Sequence, residues 1–153
     1  MNGKLVGLSI LGIAALAGGA LYYLQVFHFY DPVNPGALEI AATGSDGAPV
    51  ALDIAEVTAI DATSSPIRFR ACFSLGTLPD MDALTPYDRA EPLTAPYWFD
   101  CFDAAAIAGA LDAGDASALL GQAEIAHGVD RVLAILPDGT GYAWHQFNPE
   151  FEE

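Results

Sequence analysis

Leu5-Val6-Gly7-Leu8-Ser9-Ile10-Leu11-Gly12-Ile13-Ala14-Ala15-Leu16-Ala17-Gly18-Gly19-Ala20-Leu21-Tyr22-Tyr23-Leu24 is an unbroken run without a single charge, and no later stretch matches its apolar length. At about 1.5 Å of rise per residue it spans roughly 30 Å, the thickness of a bilayer's hydrocarbon core. A cleavable signal peptide is the rival reading, because Ala15-Leu16-Ala17 has a small-x-small pattern behind a minimal basic region, Lys4. The apolar run continues past that point through Ala20, Leu21 and Leu24, so a retained membrane-spanning helix over residues 1–30 is expected.

The flanks fit this expectation. Tyr22, Tyr23, Phe27, Phe29 and Tyr30 gather at the C-terminal end, and such rings favour the headgroup level of a bilayer. Asp31-Pro32 is expected to end the helix, and residues 31–36 to form a linker. Lys4 is the only lysine; the positive-inside rule then places the N-terminus in the cytoplasm and the remainder in the periplasm of an inner membrane. Gly3 and Gly7, Ala14 and Gly18, and Ala15 and Gly19 repeat small residues at spacing four. They serve close packing against other transmembrane helices, or reflect only how common Gly and Ala are in such helices.

Residues 37–153 are expected to form one small acidic domain. All twenty acidic residues lie at or after Asp31, where only Arg68, Arg70, Arg89 and Arg131 oppose them; removing Lys4 from the whole-chain charge of −15 leaves −16. Such a surface repels nucleic acid and anionic headgroups and attracts basic proteins. The acidity serves recruitment of such a partner or simply solubility. Cys72 and Cys101 are the two cysteines. In an oxidising compartment they pair as a disulfide, the alternative being two separate buried thiols.

Ile67 to Phe73 alternates strictly, with Ile67, Phe69, Ala71 and Phe73 on one face and Arg68, Arg70 and Cys72 on the other. Further strands are expected over 37–43, 49–59, 131–136 and 141–147, the last two joined by Pro137-Asp138-Gly139-Thr140 as a hairpin. Asp103 caps a helix through Ala113 with Gly114 as its stop, and Asp115 a second short helix ending at Gly121. The Pro- and Asp-rich segment 78–96 is long for a loop, and such loops are often functional. The sum is an α+β domain: an antiparallel sheet with one or two helices behind a single transmembrane helix.

Motifs of catalysis are lacking: there is no P-loop, no dinucleotide glycine fingerprint, no Cys-x-x-Cys and no His-Glu-x-x-His. The spacing of His127 and His145 relative to the cysteines does not support a metal site. No cofactor is expected. Among the aromatic residues, Tyr97 and Trp98 follow directly on the Pro-rich loop and are candidate anchors for a partner.

Ser65 to Phe73, Glu91 to Pro96 running into Trp98 to Asp103, Gly128 to Val132, and Trp144-His145-Gln146 resemble an uncharacterised proteobacterial family of small single-pass membrane-anchored proteins. Some of its members bear a histidine-kinase label, for which this chain has neither the length nor the glycine motifs. The resemblance implies a bacterial inner-membrane protein and supplies no activity or catalytic residue. The function expected is a non-catalytic accessory subunit of an integral membrane complex, of respiratory or photosynthetic electron transfer, whose acidic domain recruits a basic partner such as a cytochrome c. The alternative is an assembly factor or periplasmic chaperone for such a complex.

Overall fold

A computed structural model describes residues 2–149. Met1 of the expected anchor, and residues 150–153 of the expected domain with their three glutamates, lie outside the described residues. The chain divides into two units, residues 1–30 and 31–153.

The first unit is a helix, α1 (Gly3–Tyr23), capped by the Asn2 side chain, which accepts from the Lys4 amide. It widens into a π-type turn over Leu24–His28. Gly3–His28 is long and apolar enough to cross a membrane, and 26 residues at about 1.5 Å each exceed the roughly 30 Å required. Ser9, its one hydroxyl before the tyrosines, donates to the Leu5 carbonyl at 2.9 Å; this satisfies it without water. The aromatic end packs on itself, with Phe27 stacked on Tyr23 at 5.9 Å between centroids.

Among the described residues the second unit has eight strands: β1 (Asp31–Pro32), β2 (Ala41–Thr43), β3 (Pro49–Ala51), β4 (Ile54–Asp61), β5 (Arg70–Leu75), β6 (Ser117–Ala126), β7 (Val129–Ile135) and β8 (Thr140–Phe147). Six form one antiparallel sheet in the order β1-β4-β5-β8-β7-β6, and β2 and β3 pair separately as a hairpin. With one α-helix among the described residues, α2 (Ala104–Ala113), the domain is α+β.

The register explains the two-sided core. Ala59, Ala71, Ala143, Leu133 and Leu119 occupy one continuous cross-strand row. All five are buried, and Ile40, Ala42 and Leu84 cluster with them. The adjacent row, Ile60, Arg70, Trp144, Val132 and Leu120, faces the opposite side. There Phe102 meets the rings of Tyr142 and Trp144 edge-on, at 5.8 and 6.3 Å. A sheet buried on both faces needs small residues where neighbours crowd: a Cβ at Gly141 would collide with the Phe73 ring.

Segment 78–96 passes from one face to the other around the β6 edge. Leu84 pairs with Gly44 and Pro86 with Leu119, while the Tyr87 amide reaches the Ala118 carbonyl at 3.0 Å. These contacts cover an edge that would otherwise expose unpaired backbone groups.

Several expectations from sequence need correction. Residues 31–36 are part of the domain rather than a linker: Asp31 and Pro32 pair with Asp61 and Ile60, and Asn34 caps a 3₁₀ turn over Pro35–Ala37. The strand expected over 37–43 shrinks accordingly to Ala41–Thr43, and that over 49–59 breaks at Leu52-Asp53 into β3 and β4. Pro66–Arg68 forms a 3₁₀ turn, so the strictly alternating segment becomes a strand only from Arg70. The second helix does not form. Ala118, Leu119 and Leu120 pair with Ala134, Leu133 and Val132 instead, and this pairing overrides the weak local capping signal at Asp115. Asp103 does cap α2, accepting from Ala105 and Ala106 at 3.0 Å, and Gly114 ends it at φ 76°.

Candidate functional site

The row that carries Ala59, Ala71, Ala143 and Leu133 turns polar at one end. Two positions further along, in the same phase of their strands, stand Asp61, His145 and Arg131, with Phe69 just ahead of β5. Arg131 and His145 are directly opposite each other across β7 and β8. Arg131 Nε donates to His145 Nε2 at 3.0 Å, and His145 Nδ1 is 2.8 Å from the Pro66 carbonyl. Since a guanidinium only donates and a carbonyl only accepts, the imidazole is neutral with its proton on Nδ1. Burial, opposed by the Pro66 bond and reinforced by the charges of Arg131 and Arg70, pushes its pKa down to about 4.

Arg131 also donates from Nη1 to the Glu39 carbonyl at 3.0 Å, and its guanidinium lies 4.6 Å from the centroid of Phe69. The His145 ring stacks on the same phenyl at 4.5 Å. Gly121 makes room for this arrangement: a Cβ there would stand 3.1 Å from both Arg131 Cγ and the Arg131 carbonyl. Desolvation lowers the pKa of Arg131, partly offset by Asp61, and raises that of half-buried Asp61 against a hydrogen bond from the Ala62 amide. With both its nitrogens engaged, His145 is a fixed structural group and not a free base.

The opposite face carries a second polar set, which holds the long loop. Arg70, 3% exposed, donates to the carbonyls of Leu93 at 2.7 Å, Thr94 at 3.3 Å, Ile67 at 2.9 Å and Phe69 at 2.7 Å. Gln146 accepts from the Glu91 amide and from Trp144 Nε1, and donates to the Arg89 carbonyl. Buried Asp130 accepts from Tyr87 Oη at 3.2 Å and from the amide of Glu124 at 2.9 Å. Glu124 sits at φ 52°, unusual for a residue with a Cβ. Its carboxylate binds Asn148 Nδ2 at 2.8 Å.

The residues singled out in the sequence are dispersed. Cys72 and Cys101 are joined by a disulfide, 6.3 Å between Cα atoms, which ties β5 to the turn before α2; neither is therefore a thiolate metal ligand. Among the described residues no three His, Cys, Asp or Glu converge as a metal site. Tyr97 is 69% exposed beside a concavity lined by Pro96, Asp100 and Asp103, whereas Trp98 is half-buried against Phe99. Tyr22, Tyr23, Phe27, Phe29 and Tyr30 form the aromatic end of the first unit. Gly3, Gly7, Ala14 and Gly18 fall within an arc of about 60° at 100° per residue, with Ala15 and Gly19 outside it. A Cβ at Gly3, Gly7, Gly18 or Gly19 would meet nothing within 4 Å.

Surface charge is more one-sided than composition implies. Of the acidic side chains described, all but Asp61 and Asp130 are exposed. Of the four arginines of this unit, Arg70 is buried, Arg68 and Arg131 are half-buried, and only Arg89 is exposed.

Sequence reasoning missed the polar row and the role of Arg70. The readable signal for the first was phase: Asp61, Arg131 and His145 each sit two residues beyond a core position (Ala59, Leu133, Ala143) on the same strand face. Alternation places Arg70 on the face opposite Phe69 and Phe73, and that face is buried too.

Neither a curated protein nor a solved structure matches this chain. One family model does, over residues 39–153, a match that begins after the apolar helix and β1 and takes in β2 to β8, the disulfide and both polar sets. The chain belongs to the family of unknown function DUF6446.

Proposed function

We propose that this protein is a non-catalytic accessory subunit of an integral inner-membrane complex, held by α1 with its N-terminus in the cytoplasm and its acidic domain on the periplasmic side. One observation carries the reading: a membrane-length helix is joined to a disulfide-bonded domain whose arginines are mostly turned inward, leaving an almost purely acidic surface. Disulfides persist in oxidising compartments, which supports the orientation that Lys4 alone suggests. The narrow arc of Gly3, Gly7, Ala14 and Gly18 suits close approach of a neighbouring transmembrane helix. A surface so charged speeds encounter with a basic partner, such as a cytochrome c of a respiratory or photosynthetic chain, with exposed Tyr97 available as an apolar contact.

The test is purification of the tagged full-length chain in mild detergent, followed by native electrophoresis and mass spectrometry. Co-migration at stoichiometric yield with other membrane subunits is expected. Migration alone would overturn the reading, and substoichiometric recovery together with failed assembly on deletion would turn it into an assembly factor. A basic soluble partner should be lost near 1 M salt, where the screening length falls to about 3 Å.

A further inference from the structure

Beside the polar row lies an open concavity of about 550 Å³, lined by Asp61, Arg131 and His145, with Ala62, Ile125 and Ala126 as an apolar wall. Two opposite charges, Arg131 and Asp61, line it, and among the described residues neither is in a direct ion pair. Arg131 commits Nε to His145 and Nη1 to Glu39, and among the described residues nothing accepts from Nη2. Asp61 uses Oδ1 for the Ala62 amide. Arg131 and Asp61 feel each other's charge, yet no direct ion pair forms between them. Desolvation works against the charged form of both. Charges that are partly desolvated and unpaired are costly, so a group that bridges them gains from both at once.

The surroundings decide what kind of group. A free anion attracted to Arg131 must approach a domain of formal charge −16, and a free cation attracted to Asp61 meets Arg131. A net-neutral molecule with a carboxylate at one end and an ammonium at the other avoids both penalties and uses both partners. We propose that this concavity binds a small zwitterion of amino-acid type, its carboxylate received by Arg131 Nη2, its ammonium by Asp61, and its side chain by Ala62, Ile125 and Ala126. His145, locked neutral, acts as a positioning residue that fixes the guanidinium plane. The site is independent of which membrane complex the chain joins.

Titration calorimetry on the full-length chain in detergent tests this, with L-leucine and L-serine as probes. The controls are 4-methylpentanoate, which lacks the amine, and 3-methylbutylamine, which lacks the carboxylate. Saturable binding of at least one amino acid with Kd at or below about 1 mM, and at least tenfold weaker binding of both controls, is expected. Asp61→Asn keeps the side-chain volume and an oxygen for the Ala62 amide, so the fold survives; it should weaken the amino acid at least tenfold without weakening 4-methylpentanoate, whose carboxylate no longer meets a like charge. Arg131→Lys should abolish both. No saturable heat with either amino acid up to about 10 mM, equal binding of 4-methylpentanoate, or an Asp61→Asn variant that binds like the parent would each overturn the proposal.

Discussion

Arg131 and His145 face each other across β7 and β8, and the 3.0 Å bond from Arg131 Nε to His145 Nε2 fixes a neutral imidazole beside a guanidinium. A protonated His145 would lose that bond and place two positive charges in contact. The unfolded chain has no such constraint, so its histidine takes up a proton near pH 6.5 while the folded one waits until about 4.

Folding stability should therefore fall as pH drops through that window, by roughly 3 kcal/mol at 1.36 kcal/mol per pH unit. Urea unfolding at pH 7 and pH 4.5 reads the effect, and His145→Asn should flatten it. Asp61 works in the other direction, since its raised pKa lets the folded state hold a proton that the unfolded state has released; Asp61→Asn should steepen the acid loss. An unchanged slope in His145→Asn would contradict the assigned tautomer.

Arg70 holds the Pro-rich loop by four carbonyl bonds. Arg70→Met strands those buried acceptors and should cost about 3 kcal/mol, with faster amide exchange across residues 89–96. Lysine should not rescue, because an ammonium lacks the fork that reaches both Ile67 and Leu93. Unchanged exchange in that segment would show that the loop is held by something else.

Gly121 lies beneath the Arg131 stem. Gly121→Ala should push that stem aside and cost about 1–3 kcal/mol, while Gly109→Ala in α2, where a Cβ meets nothing within 4 Å, should be neutral or stabilise by up to about 1 kcal/mol. Thermal unfolding of the two variants side by side compares them directly.

The Cys72–Cys101 bridge joins residues 29 apart in sequence, so the double Ala variant should lose about 3–4 kcal/mol by the chain-entropy relation. Chemical denaturation with and without reductant measures it. Insensitivity of the parent protein to reductant would mean the link carries no stability.

Much of the architecture was legible because periodicity carries it. The uncharged run to Leu24, the alternation from Phe69 to Phe73, the hairpin at Pro137–Thr140 and the Asp103/Gly114 caps are each local signals. What was lost depended on partners distant in sequence. Ser117–Ala126 becomes a strand only because β7 is there to pair with it, and Asp31-Pro32 joins the sheet only through Asp61 and Ile60. Alternation puts Arg70 on the face opposite Phe69 and Phe73, but nothing local reveals that residues 89–102 return to cover that face. The concavity beside Arg131 joins residues from four strands and a turn, which no single stretch displays.

We propose that α1 spans the membrane and holds the acidic domain outside the cytoplasm. Protease treatment of intact spheroplasts, read with an antibody against the C-terminal domain, is the test. Digestion of the domain without lysis, leaving a short membrane-embedded fragment, is the expected result. Protection until the spheroplasts are lysed would place the domain in the cytoplasm and contradict it.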